Sequence, residues 1–121
     1  MISIGPATRV FIALGSTDMR KGYDGLHGLV ISQLKEDPLS GHLFVFSNRS
    51  RTRIKVLYWD GSGLWICGKR LEKGRFSWPQ SNSAEDAKVR MSATELALLL
   101  NGIDLHDARK KNWWRKEAGT D

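Results

Sequence analysis

Apolar and polar residues recur along this chain with two different periods. "TRVFIALG" (8–15) is a run of β-branched and apolar residues closed by Gly15, and it predicts a first strand buried on both faces. In "STDMRKGYDGLHGLVISQLKEDP" (16–38) the spacing becomes helical. Leu26, Leu29, Val30 and Leu34 share a face, Thr17 or Asp18 offers an N-cap, and Pro38 stops the helix. Gly22, Gly25 and Gly28 each cost roughly 1 kcal/mol in a helix interior. Close packing of the helix on a sheet would account for Gly25 and Gly28.

Four strand-like runs follow, at 40–48, 51–59, 63–69 and 74–79, separated by "NRS", "DGSG" and "RLEKG". Links this short favour an antiparallel meander. Pro79 lacks an N–H, so the fourth run is expected to be short or to lie at an edge. "SNSAEDAK" (81–88) has no periodicity and is expected to be a polar loop. "SATELALLLNGID" then pairs Ser92 with Glu95 as a capping box, carries Leu96, Leu99 and Leu100 on one face, and ends at Gly102.

These elements predict a single compact α+β domain over 1–108, followed by a basic, tryptophan-containing tail over 109–121. The domain is expected to be a curved antiparallel β-meander of about five strands, with one helix packed on a face and a second near the C-terminus. A chain of 121 residues, 40% hydrophobic and 26% charged, has room for one ordinary globular core.

Charge changes the picture. The net charge is +6, which favours a polyanionic partner. Cys67 is the only cysteine, so no internal disulfide forms. No basic leader precedes the first apolar run, and none approaches the ~20 residues of a membrane span. A cytoplasmic protein without a membrane partner is expected.

The positive charge is concentrated between 49 and 75, where Arg49, Arg51, Arg53, Lys55, Lys69, Arg70, Lys73 and Arg75 face only Asp60 and Glu72. Strand alternation over 51–59 puts Arg51, Arg53 and Lys55 on one face and Ile54, Val56 and Tyr58 on the other. Such a row suits successive phosphates of nucleic acid, with Trp59 or Trp65 able to stack on bases. The other use of the same pattern is a solvated outer face with aromatics paired across strands. Arg20 and Lys21, beside a helix start, add to the candidate phosphate surface. In the tail, Arg109, Lys110, Lys111, Arg115 and Lys116 surround Trp113 and Trp114. There the two readings are a contact with a partner, and packing back on the sheet under a cation–π contact.

Catalytic chemistry finds little support. One cysteine and the scattered His27, His42 and His106 lack zinc-ligand spacing, and Cys67 in an apolar run reads as a small hydrophobe. Asp18, Asp24, Asp60 and Asp104 are the candidates for divalent-ion chemistry on DNA. Three of them have structural uses as well: Asp18 as a cap, Asp60 as the turn residue of "DGSG", and Asp104 just after a helix stop. There is no phosphate-cradling loop and no nucleophile elbow. No catalytic residue, metal or cofactor is expected.

"TDMRKGYDGL" (17–26), "SGHLFVFSNRSRTRIKVLYWDGSGLWICGKRLEKGRFSWP" (40–79) and "LALLLNGID" (96–104) closely resemble the TnpB-type accessory proteins encoded by the second reading frame of insertion sequences of family sixty-six. Cys67 and Gly68 stand where that pattern carries larger apolar or aromatic residues. The resemblance implies a bacterial mobile-element protein that supports DNA transposition, with strand cutting left to the separate transposase of the same element. Taken with the charge, it leads to an expectation of a non-catalytic factor binding DNA, at the element ends or target, through Arg20, Lys21, Arg49, Arg51, Arg53, Lys55, Lys69, Arg70 and Arg75, with Trp59 or Trp65 stacking. The alternative is a module that docks the transposase or another accessory subunit without touching DNA.

Overall fold

A computed structural model describes residues 5, 7–81, 83 and 85–102. The elements run β1 (Val10–Ala13), α1 (Tyr23–Ser32), β2 (Leu43–Ser47), β3 (Arg53–Trp59), β4 (Leu64–Arg70), β5 (Lys88–Met91) and α2 (Ala93–Leu100). The five strands form one sheet in the order β4-β3-β2-β1-β5. The fold is α+β.

One pair departs from the expected meander, because β1 and β2 are parallel, with Val10 opposite Leu43. Parallel neighbours need a crossover connection, and the segment that joins these two contains α1. The remaining pairs, β2–β3, β3–β4 and β1–β5, are antiparallel.

Both faces of the sheet are covered, so β1 and the central β2 are buried at every position and read as continuous apolar runs. On one face Leu26, Val30 and Leu34 of the α1 region pack with Phe11, Phe44, Phe46 and Leu57. On the other, Leu96 and Leu99 of α2 pack with Ile12, Val45, Ile54, Val56 and Met91. Alternation along β3 therefore separates two cores rather than core from solvent. On the α1 face of this strand Arg53 and Lys55 at its start, and Trp59 at its end, are not buried, while Leu57 between them is fully buried.

Four local expectations are corrected. Asp18 does not cap α1: the N-cap is Gly22, with no side-chain cap, and the Asp18 carboxylate turns instead to Arg20. The helix stops at Ser32, well before Pro38. Lys35 takes a left-handed backbone (φ 56°), and the Glu36 N–H donates to the Val30 carbonyl at 3.0 Å, which turns the chain away from the helix and satisfies one of its last carbonyls. Residues 74–79 form no strand. Their place is fixed by buried Phe76, whose N–H donates to the Arg51 carbonyl at 2.7 Å, and by Trp78. The remaining strand comes from the end of the supposed loop, where Lys88–Met91 completes the sheet beside β1.

Neither helical glycine lies against the sheet. A Cβ on Gly28 would meet nothing within 4 Å, whereas one on Gly25 would sit 3.0 Å from the Lys21 Cβ. Gly25 therefore makes room for the Lys21 stem. α2 forms as expected: the Ser92 hydroxyl accepts from the Glu95 N–H at 3.0 Å, and the Glu95 carboxylate accepts from the Ser92 N–H at 3.2 Å. Gly102 (φ 78°) terminates it. The expected tail at 109–121, and Asp104, lie outside the described residues.

Candidate nucleic-acid interface

The register of the sheet decides where the cations gather. Ala13 is opposite Lys88, Ser47 opposite Ile54 and Arg53 opposite Arg70. The carboxyl ends of β1, β2 and β4 thus share one end of the sheet with the amino ends of β3 and β5. Three basic stretches far apart in sequence enter or leave the sheet there: "MRKG" (19–22), "NRSRTR" (48–53) and "KRLEKGR" (69–75). The amino terminus of α1, which favours negative charge, opens at the same end.

Arg53 and Arg70 are direct cross-strand partners and both are exposed. Like charges in that relation repel. Lys55 is opposite Gly68, whose missing side chain leaves a groove of about 490 Å³ floored by Ile54 and bordered by Met19, Arg53, Lys55, Lys69, Arg70 and Glu72. The Lys55 ammonium donates to the Lys21 carbonyl at 2.9 Å, tying this row to the approach to α1. Glu72 offsets part of the charge through a 3.1 Å bond from Arg70 Nε, between two exposed side chains.

The other expected contacts are dispersed around that end. Arg20 grips Asp18 with Nη2 at 2.7 Å and Nε at 3.1 Å. That hydrogen bond from the guanidinium, with one from the Arg20 N–H, lowers the Asp18 pKa to about 2. Arg49 is exposed in the loop between β2 and β3. Arg51 does not belong to the row. It adopts φ 58°, donates from Nη2 to the Leu14 carbonyl at 2.9 Å and lies over the Trp78 ring. Burial pushes its pKa below the ordinary value, though a guanidinium stays charged. Arg75 lines a separate cleft with Arg51, Trp78 and Asp86. Lys69 projects to the α2 side and donates to the Leu100 carbonyl at 2.5 Å, at the C-terminus of α2.

The aromatics lie elsewhere. Trp59 and Trp65 belong to the opposite end of the hairpin, and six residues of strand separate Trp59 from Arg53, roughly 20 Å. Trp65 stacks on Tyr58 at 6.3 Å, and its indole N–H donates to Asp60 at 2.7 Å. Asp60 also accepts from the Ser62 and Gly63 N–H groups, and these bonds, led by the one from Trp65, hold its carboxyl far below the usual range. Trp59 thus shares a face of β3 with Arg53 and Lys55 but sits at the other end of the strand, while Trp65, opposite Tyr58, lies on the other face.

Sequence reasoning missed Asn48 as the organiser of the cationic loop. Its Oδ1 accepts from the N–H groups of Thr52 at 2.9 Å and Arg53 at 3.0 Å, while its Nδ2 donates to Ser50 and Thr52. An Asn opening a turn-rich link was the available signal. Among the described residues no three His, Cys, Asp or Glu side chains gather as a metal site requires, and no helix is long and apolar enough to cross a membrane.

The described residues thus present a basic α+β domain with a cationic end. The chain belongs to the family of IS66 Orf2-like proteins, whose model matches residues 8–110, and is an insertion-sequence accessory protein. It is 46% identical over 104 residues to the uncharacterized protein y4hO of Sinorhizobium fredii (strain NBRC 101917 / NGR234), covering 86% of this chain and 88% of that protein. To the uncharacterized protein y4jC of the same organism it is 38% identical over 110 residues, covering 89% and 92%. No solved structure matches.

Proposed function

We propose that this protein supports transposition by binding DNA through the cationic end of its sheet, without catalysis of its own, while the separate transposase of the element cuts the strands. The single observation that carries this reading is the convergence of "MRKG", "NRSRTR" and "KRLEKGR" on one end of the sheet. Arg53, Lys55 and Arg70 contact backbone phosphates as a group, Lys21 and Arg49 extend the track, and Arg20, already paired with Asp18, contributes less. Arg51 and Lys69 support the surface by bonding carbonyls, and Arg75 borders it. The DNA is that of the element ends or target, met in the cytoplasm.

The test is binding to duplex DNA over a range of salt. Arg53→Glu with Lys55→Glu removes two cations from the phosphate track, so the slope of log affinity against log salt should fall by about 2. Equal binding by this variant and the parent at low salt would leave the row as a solvated face.

The second reading, a module that docks the transposase, is favoured by one feature. Trp65 is 43% exposed yet held by Tyr58 and Asp60, and rigid exposed tryptophans are common anchors of protein interfaces. It predicts salt-insensitive binding to the transposase that Trp65→Ala abolishes.

A further inference from the structure

We infer that β4 is the edge through which two copies of this chain pair, antiparallel about a two-fold axis at Cys67, into one continuous sheet.

The two edges of the sheet differ. β5 has four residues and carries Lys88 and Arg90, a short and charged edge of the kind that resists pairing. β4 has seven residues, pairs with β3 at every position without a bulge, and contains neither charge nor proline from Leu64 to Gly68. Among the described residues no strand lies beyond it. An open edge of that length and apolar character is a template for a further strand.

The hydrogen-bond pattern fixes what that edge offers. The Asp60 N–H donates to the Gly63 carbonyl at 3.1 Å, and the Leu71 N–H to the Thr52 carbonyl at 2.8 Å. Alternation between these two points turns the backbone groups of Trp65, Cys67 and Lys69 toward β3. Those of Leu64, Ile66, Gly68 and Arg70 therefore face outward. An axis at Cys67, the midpoint of the strand, sets Leu64 opposite Arg70 and Ile66 opposite Gly68 of the other copy. Each outward N–H then meets an outward carbonyl along the whole strand.

Charge selects a second copy as the occupant. The turn at one end of β4 contains Asp60, with Trp65 bonded to it, while 69–75 at the other end has four Lys or Arg against Glu72 alone. The antiparallel pairing places the acidic turn beside the basic segment of the other copy, and Trp65 opposite its Lys69. A parallel pairing would set basic against basic. The two cationic ends then point in opposite directions, and the pairing stands whether or not they meet DNA.

The experiment begins with sedimentation of the full chain at low salt, which should give twice the mass of one chain. Cys67 is half-buried and is the only cysteine, so it reports the register. Non-hydrogen-bonded partners lie roughly 4.5 Å apart at Cα, within the reach of a disulfide, and diamide should link the two copies through Cys67. Trp65→Cys with Cys67→Ser puts the thiol opposite Lys69 and should not link. A Cβ at exposed Gly68 would meet only the Ile54 carbonyl oxygen, at 3.8 Å. Gly68→Pro thus removes an outward N–H without touching the bonds to β3, and it should sediment as a monomer with cooperative melting retained. Should that variant lose cooperative melting, the contrast between the two cysteine positions decides. A monomeric parent overturns the pairing, as does a dimer that links equally from both positions or persists in folded Gly68→Pro. If the parent is monomeric and Gly68→Pro loses capture of the transposase, the edge receives that protein instead.

Discussion

The guanidinium carbon of Arg51 lies 4.9 Å from the centre of the Trp78 ring, and both side chains close the carboxyl end of β1. Trp78 donates its indole N–H to the Ala13 carbonyl at 3.0 Å, and Arg51 bonds the Leu14 carbonyl at 2.9 Å. Two carbonyls at the end of a buried strand thus find partners on segments distant in sequence, as buried polar groups require. Arg51→Ala and Trp78→Phe should each destabilise the domain by about 1–3 kcal/mol, because each strips a carbonyl of its donor. The double variant should lose less than the sum, since the stacked pair acts together. Urea unfolding of the three variants reads this, and strict additivity would show that the stack carries no coupling.

The two glycines inside α1 should respond in opposite directions to alanine. Gly28 faces open space, so Gly28→Ala should stabilise by about 0.5–1 kcal/mol through helix propensity and a less flexible unfolded chain. At Gly25 the new methyl meets the Cβ of Lys21 at 3.0 Å, the near end of that side chain. Gly25→Ala should therefore lower the melting temperature despite the gain in propensity.

Much of the architecture was legible from local signals. β1 read as a buried apolar run, the "DGSG" link placed a hairpin, and the Ser92–Glu95 capping box marked α2. The misreadings share a physical cause, since tertiary partners decide the fate of short segments. Lys88–Met91 is four residues long with two apolar positions, and only the free side of β1 makes it a strand. "GRFSWP" looks more strand-like, yet Phe76 and Trp78 anchor it individually. For the site, the alternation that separates Arg53 and Lys55 from Ile54 and Val56 follows from strand geometry alone. That Arg51 leaves the row follows from its left-handed backbone in a loop organised by Asn48, a conformation that no pattern of apolar residues encodes.

Asp18 should make stability fall at acid pH. Its pKa in the folded protein is about 2, against roughly 3.9 for an unperturbed aspartate. A carboxyl depressed on folding adds stability that is present above the unfolded value and is lost as pH falls through the folded one. The difference in urea midpoint between the parent and Asp18→Asn should therefore be constant above pH ~5, shrink between pH ~4 and ~2, and vanish below that. The pair is exposed, so the effect should be modest and should weaken with salt. A difference independent of pH would show that the Asp18 contribution is not its charge.

Arg53 offers the sharpest separation of folding from binding. Its side chain is exposed on the same face as Arg70, directly across the strand pair, and like charges in that position cost stability. Arg53→Gln should raise stability by a few tenths of a kcal/mol at low salt, an effect that fades as salt screens the repulsion. The same change removes one cation from the proposed phosphate track, so it should weaken DNA binding and lower the salt slope by about 1. Trp65→Ala, at the other end of the hairpin, should leave that slope unchanged. A repulsion kept at the expense of stability is expected where a ligand, not the fold, uses the charges. If Arg53→Gln instead lowers the melting temperature and leaves DNA affinity unchanged, Arg53 serves the fold, and the cationic row is not what meets the DNA.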